Sequence, residues 1–333
     1  MKILRKILLP FSIIYAFILK LRNLAFQKAW LTSTAFVHPV ICVGNLSLGG
    51  TGKSPAIEYL IRLLKNKYQI ATLSRGYGRK TTGFMWVKNS NTAAEVGDEP
   101  LQFKNKFPDI EVAVDEQRVR GIQNILKKQH NDVILLDDAF QHRKVKAGFN
   151  ILLTVYNDLY INDFVLPAGN LREPKSGAKR ADVVIVTKCP PQLSVEKRQQ
   201  IKDKLKLQKH QQVFFAYIEY QERVFSLDKS KKLKELKDYT LVSGIANPKP
   251  LLNFLNTKNP PQKHLVYKDH HHFTAAEIKH LQKEELILTT EKDFTRLKLH
   301  LPAQKLYFIS IQMKIMDEAE AFENKILNYL RSA

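Results

Sequence analysis

The run Gly44-Asn45-Leu46-Ser47-Leu48-Gly49-Gly50-Thr51-Gly52-Lys53-Ser54 places three glycines directly ahead of a lysine and a hydroxyl. A loop of this kind between a strand and a helix turns successive backbone N–H groups toward one anion. Gly49, Gly50, Thr51, Gly52, Lys53 and Ser54 are therefore candidate nucleotide-binding residues. The glycines permit close backbone approach, Lys53 can reach the β- and γ-phosphates, and the Ser54 hydroxyl can ligate Mg²⁺. The strict form of this motif has glycine where this chain has Ser47, so the loop is a variant.

Three further groups could complete phosphate chemistry. Residues 133–136 form an apolar strand that ends in Asp137-Asp138, the place where Mg²⁺ of a bound nucleotide is held. One of the pair could instead cap the following turn. Asp98, in Gly97-Asp98-Glu99-Pro100, is a carboxylate in what reads as an outward-facing turn; transfer to an alcohol needs such a group to accept the hydroxyl proton. Arg172, in Asn170-Leu171-Arg172-Glu173-Pro174, could clamp a phosphate or make a turn salt bridge. Asp269-His270-His271-His272 is a dense polar cluster, but three adjacent histidines cannot all face one site, and the two cysteines supply no zinc pattern.

Elements able to position these groups are legible in the hydrophobic pattern. Short apolar runs at 39–44, 69–73, 111–114, 133–136, 150–155 and 183–187 alternate with helical stretches at 55–64 and 118–128. Buried strands alternating with helices predict a mostly parallel sheet covered on both faces. After a lysine-rich helix at 195–209, residues 213–220 and 305–313 alternate like exposed strands and could pair as a ribbon between two lobes. Runs at 239–244, 265–267 and 286–290 suggest a second, smaller α/β unit.

The chain has 333 residues, 44% hydrophobic, enough to bury a real core and too apolar to be disordered. Its two cysteines exclude a disulfide framework and favour a reducing compartment. The net charge of +21 points to a polyanionic partner: nucleic acid, an anionic membrane or a phosphorylated substrate. The first acidic residue is Glu58, preceded by Lys2, Arg5, Lys6, Lys20, Arg22, Lys28 and Lys53. Residues 7–19 are apolar except for Pro10 and Ser12, too short a run for a span of about 20 residues. A helix lying in the membrane interface fits better than a signal peptide or an ordinary packed helix. The lysine cluster at 229–237 reads as a solvated surface, and no aromatic-basic interleaving supports nucleic acid.

Taken together, G-N-L-S-L-G-G-T-G-K-S-P (44–55), S-R-G-Y-G-R-K (74–80), G-D-E-P (97–100), L-L-D-D-A-F-Q-H-R (135–143) and L-P-A-G-N-L-R-E-P (166–174) resemble the tetraacyldisaccharide 4'-kinase family. V-I-V-T-K-C-P (184–190), S-G-I-A-N-P (243–248), D-H-H-x-F (269–273) and T-T-E-K-D (289–293) continue the likeness in the same order, over about residues 38–300. The resemblance implies transfer of the ATP γ-phosphate to the 4'-hydroxyl of a lipid A disaccharide precursor, with Mg²⁺, at the cytoplasmic face of the bacterial inner membrane. It implies Asp98 as the base, His270 as its partner, and Lys53 on the transferring phosphate. Ser54, Asp137, Asp138 and Glu99 become candidate metal ligands, and Arg172, Glu173, Asn45 and His142 substrate-side residues. Ser54 and Ala139 depart from the residues common in the family, threonine and glycine; Ser54 keeps the hydroxyl.

The expected fold is a P-loop NTPase-like parallel sheet with helices on both faces, plus a smaller α/β lobe joined by a two-stranded ribbon. Its expected divisions are a membrane-associating helix (1–36), the kinase core (37–212), linking strands (213–228 and 303–313), the smaller lobe (229–302) and a C-terminal helix (314–333). A monomer is expected, with no nucleic-acid partner. The alternative is a membrane-associated regulatory P-loop ATPase, which would leave Asp98 and His270 unexplained and commonly carries a lysine where this chain has Leu48.

Overall fold

The structure, a computed structural model, describes residues 5, 7–128, 131–269 and 271–333; Lys2, Lys6 and His270 lie outside the described residues. The core sheet is built from β1 (Val40–Asn45), β2 (Ile70–Ser74), β3 (Met85–Trp86), β4 (Glu111–Val114), β5 (Val133–Asp137), β6 (Phe149–Val155) and β7 (Val183–Thr187). All of its pairings are parallel except that of the short edge strand β3 with β4. Strand β1 lies between β5 and β6, and its register sets Val43 against Asp137. The phosphate loop and the acidic pair therefore leave the sheet side by side, at the carboxyl ends of neighbouring strands.

Continuous apolar runs form these strands because both faces are buried. Ile41 and Val43 pack into one core and Val40 and Cys42 into the other. The first core is closed by α2 (Lys53–Leu64) and α3 (Asp98–Lys106), and the second by α4 (Arg118–Leu126) and α5 (Val195–Leu205). An N-terminal helix, α1 (Leu9–Gln27), precedes them. Both cysteines are buried and free. Burial, the first cause, pushes the Cys42 thiol up to about 12.

The smaller lobe contains β10 (Thr240–Ser243), α6 (Lys249–Lys258), β11 (Lys263–Val266), α7 (Ala275–Leu281), β12 (Ile287–Thr290) and α8 (Glu291–Leu297). The connecting ribbon is β8 (Gln212–Phe225) paired antiparallel with β13 (Leu306–Ile315), and β9 (Ser230–Lys232) folds back on β8. The start of β8 pairs parallel with β7, and the start of β13 pairs parallel with β12. The ribbon thus does more than link: one sheet runs through both lobes.

Two expectations are corrected. The C-terminal helix is α9 (Ala319–Ser332), because residues 314 and 315 still pair with Tyr217 and Ala216 in the ribbon. Its Phe322, Ile326 and Leu330 close the first core. Asp98 does not stand in an outward-facing turn but opens α3, and Pro100 falls within the first helical turn, where its missing N–H has no intrahelical acceptor to lose.

Candidate active site

The phosphate loop is shaped by two glycines. A Cβ on Gly44 would meet Phe140 Cβ at 2.6 Å and its backbone N at 3.0 Å, so only glycine lets the end of β1 pass this close to the Phe140 backbone. Gly52, at φ +91°, makes the left-handed entry into α2, whose first residues are Lys53 and Ser54. The loop is braced from inside: the Asn45 amide donates to Thr51 Oγ1 at 2.8 Å and Thr187 Oγ1 donates to the Thr51 carbonyl at 2.7 Å. Asn45 is fully buried, so its side chain serves the loop.

Arg172 organises the other flank. It donates to both oxygens of Asp138, at 2.7 and 3.2 Å, and to the side chain and carbonyl of Asn45. Lys53 Nζ lies 3.7 Å from Asp138 Oδ2. Burial opposes ionisation of Asp138, but Arg172 and Lys53 prevail and hold its carboxyl below the ordinary range. Asp137 differs sharply. Burial first, then the charges of Glu99 and Asp138, push it up to about 7, and its Oδ1 has no hydrogen-bond partner.

Helix α3 brings its first turn to this cluster. Ser54 Oγ donates to Glu99 Oε1 at 2.9 Å, and Lys292 Nζ, from α8 of the smaller lobe, meets the same oxygen at 2.9 Å. Burial works against the Glu99 carboxylate, yet Lys292, Lys53 and Ser54 together keep it below its usual range. Asp98 is gripped by both arms of Arg296, also from α8. The smaller lobe is itself tied together here, as Asp293 accepts from the Gly244 N–H and from Thr290 Oγ1, each at 2.8 Å.

Not every expected residue faces the cluster. Glu173 is buried and its oxygens accept from Arg180 and Gln141 at 2.8 to 2.9 Å and from Asn23 of α1 at 3.4 Å. It anchors the Arg172 loop to the N-terminal helix. His142 is partly buried; burial, Arg118 and Arg75 push it down to about 4, so it is neutral near pH 7. His271 stacks on Tyr267 and pairs with Glu277 at 2.9 Å.

Reading the sequence missed four cations. Arg296, Lys292 and Lys188 had no motif role of their own, and Lys188 Nζ lies 3.8 Å from where a Cβ on Gly50 would stand. Arg118 is buried, donates to the Asp115 carbonyl, and keeps Nε without a partner. The signal available for Lys188 and Lys292 was their position inside two quoted motifs; for Arg118 and Arg296 there was none.

Helix α1 carries two of its polar residues, Ser12 and Asn23, inward. Ser12 Oγ accepts from the Ala168 N–H at 2.8 Å, and Asn23 reaches Glu173. Phe11, Ile13, Ile14, Phe17, Ile18 and Leu21 are exposed. The helix is long and apolar enough to cross a membrane by length and composition, because it continues beyond the apolar run to Gln27.

A parallel sheet that delivers a glycine-rich loop, its lysine and an acidic pair to one edge, with further carboxylates facing them, defines a P-loop phosphotransferase. The family described as tetraacyldisaccharide-1-P 4'-kinase matches residues 4–331. The chain belongs to that family. It is 51% identical to a tetraacyldisaccharide 4'-kinase of Flavobacterium johnsoniae, over 99% of this chain and 98% of that one. A tetraacyldisaccharide 4'-kinase of Flavobacterium psychrophilum is 50% identical, over 100% and 99%. The crystal structure of LpxK from Aquifex aeolicus in complex with ATP superposes with a TM-score of 0.80 at 30% identity, covering 98% of this chain and 99% of that one.

Proposed function

We propose that the protein transfers the γ-phosphate of ATP to the 4'-hydroxyl of a tetraacyldisaccharide 1-phosphate, a step of lipid A biosynthesis. The observation that carries this is the convergence of Lys53 and Ser54 with Asp138 and Glu99, linked through contacts of 3.7 and 2.9 Å, in a chain of this family. A regulatory ATPase has no use for the carboxylates at the start of α3, and no observation favours it.

The chain's own groups divide the work. Backbone N–H groups of residues 49–54 receive the phosphates, and Lys53 spreads its charge over the group in transit. Asp98 accepts the hydroxyl proton at its carboxylate, with His270 as its partner. Arg172, held by Asp138 and Asn45, stands where it can meet a substrate oxygen. Arg75 and Arg118 supply positive charge on a side of the site suited to an anionic group of the acceptor.

Mg²⁺ fits the donor set. Ser54, Glu99, Asp137 and Asp138 offer hard oxygens, and the orphaned buried Oδ1 of Asp137 is a ligand atom without a partner. Among the described residues no three His, Cys, Asp or Glu side chains form a ready cage. When bound, Mg²⁺ offsets charge between the phosphates.

The exposed apolar face of α1 rests in an anionic membrane at the cytoplasmic face of the inner membrane, with the basic N-terminal residues at the headgroups. The divisions are the membrane helix (1–36), the core (37–212), the ribbon strands, the smaller lobe and the terminal helix, acting as a monomer. Incubation with γ-labelled ATP and tetraacyldisaccharide 1-phosphate in mixed micelles tests the reaction. Label must move to the lipid, and Asp98→Asn must stop that transfer while still binding ATP; label that stays wholly off the lipid sinks the reading.

A further inference from the structure

Lys106 takes no part in the chemistry above, yet it stands where three helices meet. Its Nζ lies 2.8 Å from Glu58 Oε2 on α2, 2.7 Å from Glu291 Oε1 on α8, and 2.9 Å from Ser310 Oγ on the ribbon. Glu58 and Glu291 are both buried. Glu58 also accepts from Gln102 of α3 at 3.0 Å and from Arg62 at 2.8 Å. Burial, with Glu58 beside it, holds the Glu291 carboxyl above its ordinary range.

The spacing gives this cluster a direction. Ser54 and Glu58 are four apart and share one face of α2, while Asp98, Gln102 and Lys106 recur every four residues along α3. The helices therefore meet in rungs. The upper rung is Ser54–Glu99–Lys292 and the lower is Glu58–Lys106–Glu291, about two helical turns down from Asp98. Lys106 supplies a cation between two desolvated carboxylates from opposite lobes, so α2, α3 and α8 can approach only with it in place.

We infer that Lys106 is a positioning residue for phosphoryl transfer: from below the site it fixes α3 against the phosphate-loop helix and the smaller lobe, and so sets where Asp98 and Glu99 stand. This rests on the reading of Asp98 as the base. A purely structural brace would change stability and the folded fraction; a positioning brace changes turnover in protein that is folded and saturated with ATP.

The test uses the full chain, with kcat, KM for ATP and the thermal midpoint measured for Lys106→Gln, Lys106→Arg and Glu291→Gln. Lys106→Gln is expected to lower kcat about tenfold or more with KM for ATP within about twofold, and Lys106→Arg to recover most of it. Glu291→Gln keeps the Glu58–Lys106 pair and loosens only the smaller-lobe arm, so it reads the inference even where Lys106→Gln fails to fold. It is expected to lower kcat in protein that stays fully folded at the assay temperature. A Glu291→Gln enzyme with normal kcat, or losses that only track the folded fraction, overturns the inference. Asp98→Asn separates the two readings. Inactive Asp98→Asn beside fully active Glu291→Gln removes the brace alone, whereas active Asp98→Asn removes the base and with it the object of the brace.

Discussion

Arg296 donates two hydrogen bonds to the carboxylate of Asp98, from Nε at 3.1 Å and from Nη2, although 198 residues separate the two in the chain. A guanidinium fork that meets both carboxylate oxygens fixes the plane of the group as well as its charge. Arg296 is in turn held by the His271 carbonyl at 3.2 Å and lies 3.7 Å from Asp293. The smaller lobe thus fixes the plane of the Asp98 carboxylate, while α3 carries the residue to the site.

Replacing that fork should separate turnover from nucleotide binding. Arg296→Lys retains a charge but grips one oxygen at a time, and kcat is expected to fall about tenfold. Arg296→Met should cost about a hundredfold, with KM for ATP within about twofold in both. Steady-state kinetics on the lipid acceptor check this, and an Arg296→Met enzyme of normal kcat rules the relationship out as functional.

His142 should leave a mark on acid stability. Its folded pKa is pushed down to about 4 by burial, Arg118 and Arg75, against an ordinary value of 6.5. Between those values the unfolded chain binds a proton that the folded chain refuses, so stability is present above pH 6.5 and lost as pH falls toward 4. The loss is of order 2 kcal/mol for a partly buried group. Denaturant melts of His142→Gln should show a shallower acid decline over this window; a decline as steep as that of the unaltered protein would assign it to other groups.

Membrane attachment should depend on residues that fold stability ignores. Ile13 and Phe17 lie one helical turn apart on α1 and are 68% and 59% exposed. Replacing both with Glu removes roughly 3 kcal/mol or more of apolar burial in the bilayer and should weaken binding to anionic vesicles about a hundredfold. The thermal midpoint in solution should hold within about 2 °C. Vesicle co-sedimentation provides the measurement, and undiminished binding would place the attachment elsewhere.

The phosphate loop, the acidic pair and most strands were legible because their signals are local. A glycine-rich turn before Lys53 carries its own geometry, and runs such as 183–187 match the observed strand to the residue. The ribbon pairing of 213–220 with 305–313 was legible, but the continuity of the sheet was not, since alternation does not show that the start of β8 joins β7 and the start of β13 joins β12. The helix at Asp98 was hidden by Gly97 and Pro100, which read as a turn; Gly97 at φ +92° does make the break, and the helix starts immediately after it. Arg296 and Lys106 were invisible for a different reason. Each is one lysine or arginine among 53, and only the approach of α8 to α3 distinguishes them from the solvated remainder. The N-terminal helix was recognised, but that its Ser12 and Asn23 face inward could not be read from an apolar run.

Lys188 provides the last test, because its surroundings suit an anion. It adopts φ +56° at the end of β7, and burial, followed by the charge of Lys292, pulls its ammonium below the ordinary lysine range. With Gly50 beside it, the side chain faces the phosphate loop from the strand opposite Lys53. A partly desolvated cation near a second cation weakens the ligand-free protein and is relieved when phosphate arrives. Lys188→Met should therefore leave the ligand-free thermal midpoint unchanged or raised, while the rise in midpoint on adding ATP shrinks and KM for ATP increases about tenfold. Turnover at saturating ATP should change less than about threefold, since Lys53 and Asp98 are untouched. Thermal shift with and without ATP, alongside kinetics, checks all three; an undiminished ATP-induced rise would show that Lys188 does not meet the nucleotide.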